Sequence, residues 1–115
     1  MSHKILIVDD EPNIVISLEF LMKKEGFQIA VASDGEEALA KVASFAPDLL
    51  LLDVMMPKKS GFEVCEALRA DPANSALKIV MLTAKGLAIG ADAYVTKPFS
   101  TKDLVVRVKE LLGGA

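Results

Sequence analysis

The chain alternates short apolar runs with amphipathic stretches, and the spacing of the apolar positions separates strands from helices. Ile5-Leu6-Ile7-Val8 is a β-branched-rich run that ends in Asp9-Asp10. From Glu11 to Glu25 the apolar residues Ile14, Leu18, Leu21 and Met22 fall at helical spacing, with Val15 beside them. Pro12 fits such a helix because a first-turn residue has no intrahelical N–H to lose. Gly26 ends it. Ile29 to Ala32 reads as a second strand. Asp34 caps a helix running to about Phe45, with Ala38, Leu39 and Val42 inward, and Pro47 stops it. Leu49-Leu50-Leu51-Leu52 is the most apolar run in the chain and predicts a central strand covered on both faces. Ser60 or Gly61 opens a third helix through Arg69, with Phe62, Cys65 and Leu68 inward. Ile79 to Thr83 is the fourth strand and Ala93-Tyr94-Val95 the fifth. Ser100 caps the last helix, with Asp103 three residues on as a capping-box variant. Leu104, Val108, Leu111 and Leu112 form its inner stripe.

Five strands alternating with helices predict a parallel α/β sheet with right-handed crossovers. One connection breaks the pattern. Strand four ends at Thr83 and strand five begins near Asp92, so residues 84 to 91 are all that join them. A parallel crossover with its helix takes about a dozen residues or more. The fourth helix is therefore expected to be shortened, or missing from the sequence as it stands. There are no repeats, low-complexity segments or linkers, and only Gly113-Gly114-Ala115 looks loose.

Composition narrows the function. A chain of 115 residues suits one domain with one real core. The net charge of −3 is small and of the wrong sign for a nucleic-acid clamp, so no direct nucleic-acid contact is expected. No apolar run approaches the ~18 residues of a membrane span. The chain enters a strand-like run directly after Met1 to Lys4, so no signal peptide is expected. Cys65 is the single cysteine, which leaves no internal disulfide and fits a reducing cytosol. His3 is the only histidine and reads as a solvated or tag-like terminal residue. A histidine-based metal site or triad has no support.

In an open α/β sheet, ligands bind outside the carboxyl ends of the strands. Those ends carry Asp9 and Asp10 after strand one, Asp53 after strand three, Thr83 after strand four and Lys97 after strand five. Clustered carboxylates repel one another, and a hard divalent cation relieves that repulsion with oxygen ligands. A carboxylate can also act as a nucleophile toward phosphorus, with a metal and a lysine neutralising charge on the transferring group. Any one of these aspartates alone fits a helix cap or a turn. It is the conjunction of all five positions that points to phosphoryl transfer.

Val8-Asp9-Asp10-Glu11, Leu52-Asp53-Val54-Met55-Met56-Pro57 followed by Gly61-Phe62-Glu63, Leu82-Thr83-Ala84, and Gly90-Ala91-Asp92-Ala93-Tyr94-Val95-Thr96-Lys97-Pro98-Phe99 resemble the signature blocks of bacterial two-component response-regulator receiver domains. The resemblance covers nearly the whole chain in the family's order and implies one receiver domain over residues 1–115. It implies a flavodoxin-like, doubly wound sheet of order 2-1-3-4-5. It implies that Asp53 is the phosphoacceptor, and that Asp10, Asp53 and the backbone carbonyl of Met55 hold Mg²⁺ (or Mn²⁺ in its place), with Asp9 helping through water. Thr83 and Lys97 would bind the phosphoryl group, with a main-chain contact at Ala84, and Tyr94 would be the aromatic switch that follows Thr83. Lys97-Pro98 resembles the family's cis peptide. Met55 and Lys85 stand where the family tunes water access, and neither can position water well, which implies slow self-dephosphorylation. The implied role is a cytoplasmic switch and not an enzyme in its own right. A sensor histidine kinase or histidine phosphotransfer protein would charge it. Helix four, strand five and helix five of the family pattern would then read the change out to a C-terminal output domain, a downstream protein or a phosphorylation-dependent homodimer. A haloacid-dehalogenase-like phosphatase also uses a strand-end aspartate, but it wants a second Asp two residues on, where this chain has Met55. A degenerate receiver that binds partners without phosphorylation would not need the intact acidic pair, Thr83 and Lys97.

Overall fold

The computed structural model describes residues 3–53, 61–74, 76–83, 93–96 and 101–112; for Thr83, residues 93–96 and Thr101 the description is of the main chain. Five strands, β1 (Lys4–Val8), β2 (Gln28–Ala32), β3 (Leu49–Asp53), β4 (Lys78–Thr83) and β5 (Ala93–Thr96), form one sheet of order β2-β1-β3-β4-β5. Every neighbouring pair is parallel. The described helices are α1 (Pro12–Lys24), α2 (Gly35–Phe45), α3 (Gly61–Ala70) and α4 (Thr101–Leu111), with a 3-10 turn at Pro72–Asn74. In the family's count α4 is the fifth helix. The expected shortened fourth helix falls on residues 84–91, outside the described residues.

Alternation along the central strands splits the core into two layers. Leu6, Val8, Leu50, Leu52, Ile79 and Met81 meet Ala38 and Val42 of α2 and Val64, Cys65 and Leu68 of α3. Ile5, Ile7, Leu49, Leu51, Val80 and Leu82 meet Leu18 and Met22 of α1 and Leu104, Val105 and Val108 of α4. Strand β3 is buried along its whole length, because helices cover both faces. This is why its sequence is a continuous apolar run and not an alternating one.

The element ends follow local chemistry. Asp34 caps α2 by accepting a hydrogen bond from the Glu37 N–H at 2.8 Å. Glu37 Oε1 in turn accepts from the Ser33 N–H at 2.7 Å. Gly26 closes α1 at φ 92°, a left-handed conformation that disfavours any side chain even though a Cβ there would meet nothing within 4 Å. One sequence expectation is corrected. Phe62, expected inward, is 42% exposed. The inner face of α3 runs through Gly61, Val64, Cys65 and Leu68, at steps of three and four residues. Phe62 lies one position off that stripe, so helical geometry turns it outward.

Candidate functional site

The parallel register brings the strand ends together. Val8 is beside Leu52, so Asp9 follows beside Asp53, and Asp53 is paired with Leu82, one residue before Thr83. Thr83 is in turn paired with Thr96 at the end of β5. A single edge of the sheet thus gathers Asp9, Asp10, Asp53 and the main chain of Thr83. Lys97 directly follows Thr96 in the sequence.

Among the described residues, Asp9, Asp10 and Asp53 form the one group of three or more potential ligands for a metal ion, with one carboxylate oxygen from each lying within 4.8 Å of the others. Asp9 is 1% and Asp53 5% exposed, while Asp10 is open to solvent. Two carboxylates are therefore held almost dry beside a third. Asp9 is oriented locally: its Oδ1 accepts the Glu11 N–H at 2.9 Å, and its own N–H donates to the Ala32 carbonyl at 3.2 Å. That first contact is an Asx-type turn leading into α1. The sequence reading allowed a cap or turn for any strand-end aspartate taken alone, and Asp9 combines that turn with its place in the acidic group.

The donor set consists of carboxylate oxygens, which suits a hard cation such as Mg²⁺ and not a soft one. Asp9, Asp10 and Asp53 would hold such an ion, which would offset the mutual repulsion of their carboxylates. The open side at Asp10 leaves room for water and for an anionic ligand.

The other site residues read from the sequence stand differently. Thr83 and Tyr94 lie on β4 and β5, two strands paired at Met81–Tyr94. Met55, Ala84, Lys85, Lys97 and Pro98 lie outside the described residues.

A family model described as the response regulator receiver domain matches residues 5–109. The chain is 48% identical over 120 residues to the alkaline phosphatase synthesis transcriptional regulatory protein PhoP of Bacillus subtilis, a match that covers 97% of this chain and 49% of that protein. It is likewise 48% identical over 120 residues to the DNA-binding response regulator MtrA of Mycolicibacterium smegmatis, covering 97% of this chain and 51% of that one. The chain thus spans about half the length of the curated relatives it matches. Among solved structures, a putative response regulator from Chloroflexus aurantiacus superposes with a TM-score of 0.91 at 37% identity, covering 98% of this chain and 99% of that one. The response regulator TrrA from Thermotoga maritima, solved in complex with Mg²⁺-BeF, gives a TM-score of 0.85 at 41% identity, covering 96% and 99%.

Proposed function

The chain belongs to the response regulator receiver domain family, and on that premise we propose that residues 1–115 form one receiver domain that is switched by phosphorylation of Asp53. The observation that carries this reading is the convergence of three carboxylate oxygens within 4.8 Å, on two nearly dry aspartates and one exposed one. A carboxylate held at a strand end has few conformations to lose when a donor approaches, so its attacking oxygen is already in place.

In the proposed reaction a carboxylate oxygen of Asp53 attacks the phosphorus of a phosphohistidine on a sensor kinase or phosphotransfer protein. The P–O bond to Asp53 forms as the P–N bond breaks, and the imidazole leaves. Asp10, Asp53 and the Met55 carbonyl would hold Mg²⁺, with Asp9 assisting through water. Bound there, the ion supplies charge neutralisation for the incoming phosphoryl oxygens. Thr83 would hydrogen-bond the phosphoryl group, the Ala84 main chain would contact it, and Lys97 would supply the second positive charge. Tyr94, paired two positions before the Thr83 rung, would follow the movement of Thr83. The resemblance to the family supports the roles of Met55, Ala84 and Lys97. The change would be read out by a following output segment or a downstream protein. The names of two relatives, a transcriptional regulatory protein and a DNA-binding response regulator, support an output that acts on DNA. With a net charge of −3, we assign any nucleic-acid contact to that segment. No described helix is long and apolar enough to cross a membrane, and we place the protein in the cytoplasm.

The test is intact-mass analysis after incubation with Mg²⁺ and acetyl phosphate. The wild type should gain one phosphoryl group, and gain none when Mg²⁺ is chelated. Asp53→Asn keeps the shape but is a poor nucleophile, so it should gain none and retain the wild-type circular dichroism. Labelling of a folded Asp53→Asn at the wild-type level would overturn the assignment.

A further inference from the structure

Glu25 stands where helix electrostatics argue against it. It is the C-cap of α1, at the end where the last carbonyls carry partial negative charge. A carboxylate is disfavoured there, whereas Lys23 and Lys24 just before it follow the rule. A residue that breaks a local rule is usually held by a contact from elsewhere. That contact comes from α4: Lys109 Nζ lies 2.6 Å from Glu25 Oε1. Lys109 suits its own position, since a cation in the last turn of α4 is favoured.

We infer that Glu25 and Lys109 are a positioning pair that locks the last turn of α4 onto the end of α1 and so fixes how α4 presents its outer face. Burial alone does not do this. Leu104, Val105 and Val108 seat α4 on its sheet face, but apolar contact is non-directional and permits small rotations about the stripe. The stripe also thins at its end, where Leu111 and Leu112 are only partly buried. A short, charge-assisted contact one residue past Val108 supplies the missing direction. The face held in this way carries Val106, which is exposed. The inference does not depend on phosphorylation.

Amide hydrogen exchange in the last turn of α4 reads the lock directly, since the Leu112 N–H donates to the Val108 carbonyl at 3.1 Å. The proteins compared are the wild type, Glu25→Gln, Lys109→Gln and the double variant. Each single substitution should speed exchange at Leu112 by about two- to fivefold, the range that a partly exposed ion pair supports. The double variant should exchange no faster than the faster single one. If Glu25 matters only as a helix end, Glu25→Gln changes the Gly26 amide, which donates to the Lys23 carbonyl, and leaves Leu112 untouched. That result overturns the inference, as does a double variant whose effect is the product of the two singles.

Discussion

Asp9 and Asp53 are nearly dry and Asp10 is exposed, so the three carboxylates are not equivalent although their oxygens lie within 4.8 Å. Asp9 is fixed by the Glu11 N–H, and Asp53 by its strand. Asp10 has the most freedom to turn toward an ion and the least structural work. Its removal should therefore separate metal binding from folding. Without metal, Asp10→Ala relieves like-charge repulsion and should raise stability by up to ~1 kcal/mol, small because the group is solvated. With Mg²⁺, affinity should fall about tenfold or more. Calorimetric titration gives the affinity and thermal melts with and without Mg²⁺ give the stability. Unchanged affinity would take Asp10 out of the metal site. A lower melting temperature in the metal-free variant would give it a structural role instead.

At the scale of elements, the entry to α2 shows how a few polar atoms set a boundary. Asp34 caps the helix N-terminus, Glu37 reaches back to the Ser33 N–H at 2.7 Å, and the Ser33 hydroxyl lies 3.1 Å from the same carboxylate. These bonds are made to the ionised form of Glu37. The backbone bond from Ser33 first, and its hydroxyl second, hold the Glu37 carboxyl below the usual value of 4.5. A carboxyl whose folded value is depressed contributes stability that is present above the unfolded value. That contribution disappears as pH falls through the lower folded value. Glu37→Gln should therefore lower the melting temperature at neutral pH, and the gap to the wild type should shrink once the pH is well below 4.5. A gap of constant size across that range would mean that the charge on Glu37 is not what holds the turn. Asp34 was legible in the sequence because its residue type, its position and the following apolar spacing agree. So were all five strands, each an apolar run bounded by turn or polar residues. Phe62 was misread because residue type was allowed to outweigh spacing: it is apolar, but it lies one position off the stripe through Val64, Cys65 and Leu68. Val105 was missed for the opposite reason, since a second adjacent residue widens the buried stripe of α4 beyond its minimum. The candidate site was legible as strand-end residues because parallel strands share one carboxyl edge. The inner and outer roles of Asp9, Asp10 and Asp53 were not, because burial depends on the register.

At the scale of the whole molecule, the sheet separates two apolar layers, and among the described residues no buried side chain belongs to both clusters. Leu50 is fully buried on the α2 and α3 side, and Leu104 is fully buried on the α1 and α4 side. Truncating either removes a buried leucine and leaves a cavity that neighbouring side chains fill only partly. Leu50→Ala and Leu104→Ala should each cost about 2–5 kcal/mol. That is a large share of the ~5–15 kcal/mol that holds a domain of this size. Leu50 sits on the central strand between rigid neighbours, whereas Leu104 lies on the outer helix layer, where α4 can settle toward the sheet. The cost should be larger for Leu50. Because the sheet stands between the two sites and Leu50 and Leu104 belong to separate clusters, the penalties should add to within about 0.5 kcal/mol in the double variant. Urea melts of the four proteins measure this, with Val106→Ala as an exposed control on α4 expected within about 0.5 kcal/mol of the wild type. A double variant markedly more stable than the sum would mean that the layers relax together through the sheet. In that case a change at the acidic edge on one side could be felt by the helices on both.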